Sequence, residues 1–316
     1  MDKRIYQIDF LKCVFIILMV MFHLVYVGDK FPYAKQVVYT FHMSAFLVFS
    51  GYLANMDKGI LRFAKQVKWL FVPYAVMESG YVVMASILPI REHIDNLTLV
   101  VFLDKLFLHP LGPYWYLHTL IVCYLVYYFV NKLCSRLSLV SFVCLLGVCL
   151  FTVSRLLHIV SFDNAMYFLA GVLARRSLVG FTSIFRPSWL AVIPFTLFCV
   201  LSPDGMERST LQGFVITYLV MSFSLAVYPF LSSRVRRIAL FIGENTLSIL
   251  LFSPIFTIIT KSFVPFFAFD PTAVLFTVVS VAFVLGGCYV VVVVMDRLGI
   301  SRWFCGKKRL LSVPQR

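Results

Sequence analysis

Apolar residues gather along this chain in runs of roughly 16 to 24, the length a helix needs to cross the hydrocarbon of a bilayer. The runs lie near 10–27, 37–54, 69–88, 114–131, 138–154, 160–174, 188–202, 211–231, 238–260 and 272–295, separated by short polar connections. They predict an all-α fold, a polytopic membrane helical bundle of about ten transmembrane helices. Two runs are the least regular. The sixth, "FDNAMYFLAGVLA", opens on Asp163 and Asn164, and the seventh, "PSWLAVIPFTLFCVLS", is short and split by Pro194. Lys3 and Arg4 ahead of the first run suit a secretory signal peptide. No small-residue cleavage pattern follows, however, and His23 interrupts the apolar stretch, so the run is expected to be retained as a span.

Composition narrows the class further. Hydrophobic residues make up 61% of the chain, with 33 Phe, 13% charged residues and a mean hydropathy of +0.93, which leaves no room for a large soluble domain. Eight cysteines lie mostly inside the apolar runs with no C-x-x-C or Cys/His spacing. They read as small packing residues, with neither a disulfide framework nor a metal site expected.

The formal net charge of +14 would suit a nucleic-acid partner, but its placement gives a different reason. Numbered by the gaps between runs, Lys and Arg fall 20 on one side and 7 on the other, with Lys12 inside the first run. Every second connection is the richer one. The positive-inside bias therefore puts both termini in the cytoplasm and accounts for the basic excess without nucleic acid. Residues 1–300 form the expected membrane domain, and 301–316 a basic cytoplasmic tail.

The first run also carries the chemistry. Between Arg4 and Val27 it holds Asp9, Lys12 and His23, and ionisable groups in a span are costly enough to suggest a functional site. At about 100° per residue, the eleven residues from Lys12 to His23 return to within about 20° of one face, and Asp9 lies about 60° from Lys12. In the assigned orientation Lys12 sits at the cytoplasmic mouth, with His23 about 16 Å further along the axis. Lys12 either holds an anionic head group there or snorkels its ammonium to the interface. Asp9 pairs most simply with Lys12 at i, i+3. His23 can move a proton or receive an acyl group, or it serves as a structural bond to a neighbouring helix.

These residues resemble the opening of the acyltransferase-3 family of integral-membrane acyltransferases. In that family an Arg or Lys stands some ten residues from an essential His on the first helix, positions matched here by Lys12 and His23. "FHMSAFLVFSGYLA" from Phe41 is similar to the family's "FHMPLFFFISGYL". "RFAKQVKWLFVPY" resembles its basic run leading to Pro-Tyr, and "GPYWYLHTLIVCY" its tryptophan segment. "FIGENTLSILLFSPIF" resembles the late "G-x-x-S-x-x-I-Y-L-x-H" segment, with Leu250 and Ser253 replacing the family's tyrosine and histidine. The resemblance runs from residue 5 to about 260. It implies transfer of an acyl group, commonly acetyl, from cytoplasmic acyl-coenzyme A to a hydroxyl of a lipid-linked or cell-surface carbohydrate, at a bacterial inner membrane. The soluble hydrolase-like domain that some members append is not expected here, so transfer would be completed within the membrane part.

On that reading Lys12, Arg62, Lys65 and Lys68 would meet the coenzyme's phosphates. His23 would act either as the base for direct attack or as a transient acyl carrier. Asp9, His42, Glu78, Trp115, Tyr116 and His118 are further candidates for acceptor contact, several with a plainer alternative: the pairing with Lys12 for Asp9, interface hydrogen bonding for His42, a helix-to-helix contact for Glu78, an aromatic belt for Trp115 and Tyr116. Glu244 and Asn245 read as capping residues. The competing class is a proton-coupled transporter or flippase, which inverted repeats or paired broken helices would favour. No internal repeat is evident.

Overall fold

The computed structural model describes residues 4–87 and 92–312. Lys3, Arg91 and Arg316, which enter the charge count, lie outside the described residues. Among the described residues there is no strand. The helices in chain order are α1 Tyr6–His23, α2 Val25–Lys30, α3 Pro32–Leu53, α4 Ile60–Ile87, α5 Leu99–Phe107, α6 Trp115–Cys134, α7 Leu139–Phe151, α8 Phe162–Arg176 and α9 Phe181–Ile184. They continue with α10 Val192–Leu201, α11 Leu211–Val227, α12 Ser233–Glu244, α13 Thr246–Ile259, α14 Val274–Arg297 and α15 Ser301–Phe304.

Among the described residues seven helical stretches are long and apolar enough to cross a membrane, where the apolar runs suggest ten. The difference lies in α3, α8 and α10. The N-terminal half of α3 carries Lys35, Gln36, Thr40 and His42, which dilute its hydropathy. Helix α8 has 15 residues and α10 has 10, about 22 Å and 15 Å of rise against the roughly 30 Å of a hydrocarbon core. Two expected spans are also interrupted. The first breaks at Leu24, whose ψ of 109° ends α1 at His23 before α2 begins. The run 238–260 breaks at Asn245, which separates the Arg-rich, amphipathic α12 from the apolar α13.

The chain divides into two compact units. One comprises the described residues up to Phe46, Gly180–Arg302 and those from Lys307; the other comprises Leu47–Val179 and Trp303–Gly306. In the first, α1 is the central element, packed chiefly against α12 and also against α11, α13 and α14. Its Leu11, Phe15, Ile16 and Val20 are fully buried. The contact with α12 depends on Gly243: a Cβ there would stand 1.7 Å from the Asp9 carbonyl oxygen, so only glycine lets the two backbones meet.

The second unit uses the same device twice over. A Cβ at Gly51 of α3 would lie 2.1 Å from the Phe168 carbonyl oxygen, and one at Gly171 of α8 would lie 2.1 Å from that of Val48. The two glycines therefore face each other across a closely packed helix pair. At one end of this unit Phe63 stacks on Tyr128 with ring centroids 3.7 Å apart. Arg176 reaches Asn131 at 2.8 Å, and Asn131 in turn donates to Asp57.

Candidate functional site

The first turn of α1 is an ion-pair network. Asp9, 7% exposed, accepts from Arg4 at 2.7 Å and lies 3.5 Å from the Lys12 ammonium, while Arg4 also stands 3.1 Å from Glu244. Arg4 is thus gripped by two carboxylates. Burial opposes its charge, but the bonds and charges of Asp9 and Glu244 outweigh burial and raise its pKa. The close α1–α12 approach at Gly243 brings Glu244 within reach. Glu244 is therefore more than a helix cap, and Lys12 shares its nearest carboxylate with a second cation.

Eleven residues on, His23 is the last residue of α1, and its side chain is exposed. Its Nδ1 lies 2.7 Å from the Met19 carbonyl oxygen. A carbonyl only accepts, so Nδ1 carries the proton and Nε2 keeps the lone pair. His42 on α3 repeats the arrangement, with Nδ1 2.7 Å from the Val38 carbonyl oxygen. Unlike His23 it is buried, at 3% exposure, and its Nε2 has no hydrogen-bond partner among the described residues. The two imidazoles meet edge to face at 6.4 Å between centroids. Tyr39 packs against both, at 5.6 Å from His23 and 5.1 Å from His42, and its hydroxyl donates to the Phe22 carbonyl. Lys35 lies over the Tyr39 ring at 5.6 Å. Sequence reading missed Tyr39, although its place three residues before His42 puts both on one face of α3.

The candidates of the second unit do something else. Glu78 is fully buried on α4, and its Oε1 accepts from the Leu111 backbone N–H at 2.6 Å. His118 on α6 donates from Nε2 to the Phe107 carbonyl at 2.8 Å, and Tyr74 donates to the Leu106 carbonyl at 2.8 Å. Three polar side chains thus satisfy the backbone between residues 106 and 111, where α5 ends and the chain turns into α6. Tyr116 is buried and hydrogen-bonded to Ser50 at 2.8 Å, and Trp115 packs edge-on to it at 6.3 Å.

Arg62, Lys65 and Lys68 are exposed on the first turns of α4, spaced three residues apart. That helix has 28 residues, about 42 Å of rise, so its start extends past a hydrocarbon core of about 30 Å. None of the three is in an ion pair among the described residues, and Lys68 lies over the Trp69 ring at 5.0 Å. They belong to the second unit, whereas Lys12 belongs to the first, so the four cations grouped by the sequence are divided between the units.

The segment after α14 is anchored within the first unit. Asp296 accepts from Ser301 Oγ and from the backbone N–H groups of Leu310 and Leu311, at 2.8 and 3.2 Å for the latter two. Asn245, 3% exposed, both donates to the Ser312 carbonyl at 2.9 Å and accepts from the Ser312 N–H at 2.8 Å. The reading of Asn245 as a cap misses this, because a bond to backbone 67 residues away leaves no mark on side-chain pattern.

A family model described as an acyltransferase domain, that of the acyltransferase-3 family, matches residues 5–293. No curated protein and no solved structure matches the chain. The matched region begins one residue before α1 and ends within α14, so it takes in Lys12, His23 and nearly every helix of both units. With its apolar helices and its imidazoles at the end of α1 and within α3, the chain belongs to the acyltransferase-3 family and is a multi-pass membrane acyltransferase.

Proposed function

We propose that the protein moves an acyl group, commonly acetyl, from cytoplasmic acyl-coenzyme A to a hydroxyl of a lipid-linked or cell-surface carbohydrate at a bacterial inner membrane. One observation carries this reading: His23 ends α1 with an exposed ring whose Nδ1 is committed to Met19, leaving the Nε2 lone pair available. Acyl transfer to a hydroxyl needs a group that takes the hydroxyl proton or holds the acyl carbon, and a neutral imidazole does either. The carbonyls at the end of α1 favour the positive charge that a reacting imidazole acquires.

Phosphates of the donor need cations outside the hydrocarbon. The exposed Arg62, Lys65 and Lys68 suit that task better than Lys12, which is tied to Asp9. The transporter reading loses support in the second unit. Glu78 and His118 are bonded to the backbone of the α5–α6 connection, a structural use that the transporter reading does not call for.

The test is the ester-linked acyl content of surface glycans in cells with and without the protein. Loss of an ester-linked acyl group without it, restored by the wild-type chain and not by His23→Ala inserted at equal level, is the expected result. Unchanged glycan acylation in cells lacking the protein would refute the carbohydrate acceptor.

A further inference from the structure

His42 has a feature that the proposed reaction does not use. Its Nδ1–H is held by Val38, its ring is buried, and its Nε2 lone pair meets no donor. A buried acceptor left unpaired costs about 1–3 kcal/mol, which a donor arriving later would recover. The neighbouring ring, His23, is fixed as the same tautomer, and its centroid lies 6.4 Å from that of His42. Direct attack on a thioester needs a single base. Two imidazoles, both with Nε2 unprotonated and one exposed and one buried, are what a two-step transfer needs.

We infer that His23 is the acyl carrier and His42 the base that activates the acceptor hydroxyl in the second step. This rests on the reading of the chain as an enzyme that uses an acyl-thioester donor. In the first step His23 Nε2 bonds to the thioester carbonyl carbon as the carbon–sulfur bond breaks. The sulfur leaves as a thiolate and takes a proton from water. The acyl-imidazolium keeps its Nδ1–H on the Met19 carbonyl, which stabilises the positive ring. In the second step the acceptor hydroxyl oxygen bonds to the acyl carbon, and the carbon–nitrogen bond breaks with its electron pair returning to His23 Nε2. The hydroxyl proton passes to His42 Nε2 and then to water, so protons balance over the cycle. The hydroxyl is thereby the donor that the orphaned Nε2 lacks in the free protein.

The test uses the full chain in native membranes and acetyl-coenzyme A labelled in the acetyl group. His42→Asn keeps an N–H for the Val38 carbonyl and removes Nε2. It is expected to take up label on the protein, in a form released by neutral hydroxylamine, while label entering the glycan fraction falls at least about 100-fold. His23→Asn is expected to take up none. Wild-type glycan labelling by His42→Asn would overturn the inference. So would a variant with an unchanged melting transition that loses both protein and glycan label, since His42 would then serve the first step or the scaffold. If His42→Asn does not fold, His42→Gln is read by the same criteria. A wild-type chain that takes no acetyl label, onto itself or into glycan, defeats the thioester donor and with it the proposed function. Glycan labelling by the wild type, with no protein label in His42→Asn or in His42→Gln, defeats only the two-step assignment.

Discussion

In the unit that contains α1, the two imidazoles bond carbonyls one turn back in their own helices, at Met19 and Val38, so the hydrogen bonds fix tautomers and hold no other segment in place. In the other unit, Tyr74, Glu78 and His118 bond the backbone of residues 106–111, the end of α5 and the turn after it, which belong to neither parent helix. Both groups look alike in the sequence, as polar residues stranded in apolar runs. The partner makes the difference. A side chain that satisfies its own helix remains chemically available, whereas one that satisfies a distant backbone group is part of the scaffold, because hydrocarbon offers that group no alternative.

Matched substitutions can break this comparison. The largest expected effect is at His23: His23→Asn retains an N–H for Met19 and loses Nε2, so acyl transfer should fall about 100- to 10,000-fold with the melting temperature in detergent unchanged. A comparable fall in melting temperature would make His23 a scaffold residue. Next comes packing. Gly51→Val and Gly243→Val each drive side-chain atoms into a backbone 2.1 or 1.7 Å from the first added carbon, and each should lower folded yield by more than the loss of any single polar contact. Yield at the wild-type level for either would show that the helix pairs can separate freely.

Glu78→Ala leaves the Leu111 N–H unpaired and should cost about 1–3 kcal/mol of stability, while Glu78→Gln, whose amide oxygen still accepts, should recover most of it. Thermal melts of the two variants side by side decide the matter; equal losses would mean that the Leu111 bond is not what Glu78 contributes. At His118 the informative change is to Gln, whose amide nitrogen can stand in for Nε2 and donate to Phe107. Both stability and transfer should then stay close to wild type, and a transfer rate lowered tenfold or more in a stable His118→Gln would move His118 into the reactive group. The smallest effect is expected for Glu244→Gln. A half-exposed ion pair contributes about 1 kcal/mol or less, so the melting shift should be slight and should shrink further in high salt.

The sequence made α1 legible because three ionisable residues in an apolar run are conspicuous and because helical spacing aligns Lys12 with His23. It also showed which runs are helical, since 16 to 24 apolar residues have few other uses. The break at Leu24 was not legible: no proline or glycine marks it, and it follows from how α1 and α2 pack. The shortness of α8 and α10 was partly legible, since the sixth run opens on Asp163 and Asn164 and the seventh is short and split by Pro194. At the site, residue types were readable and roles were not. Nothing in the sequence says that Glu78 faces a backbone N–H while His42 faces no donor, because one depends on where residue 111 lies and the other on how α3 stands beside α1. The Arg4 bridge to Glu244 joins positions 240 residues apart, and the Asp296 anchor shows only as an acid closing a long apolar helix.

That bridge has a consequence for how the protein is made. Helix α1 leaves the ribosome well ahead of α12, its main packing partner, which follows more than 200 residues later, a delay of about 10–50 seconds at ordinary synthesis rates. During that interval Asp9 must be kept tolerable by Arg4 and Lys12 alone, both within five residues of it. The local pairing thus does a nascent chain's work, letting a helix with three ionisable groups wait in the bilayer until Gly243 and Glu244 arrive to close around it.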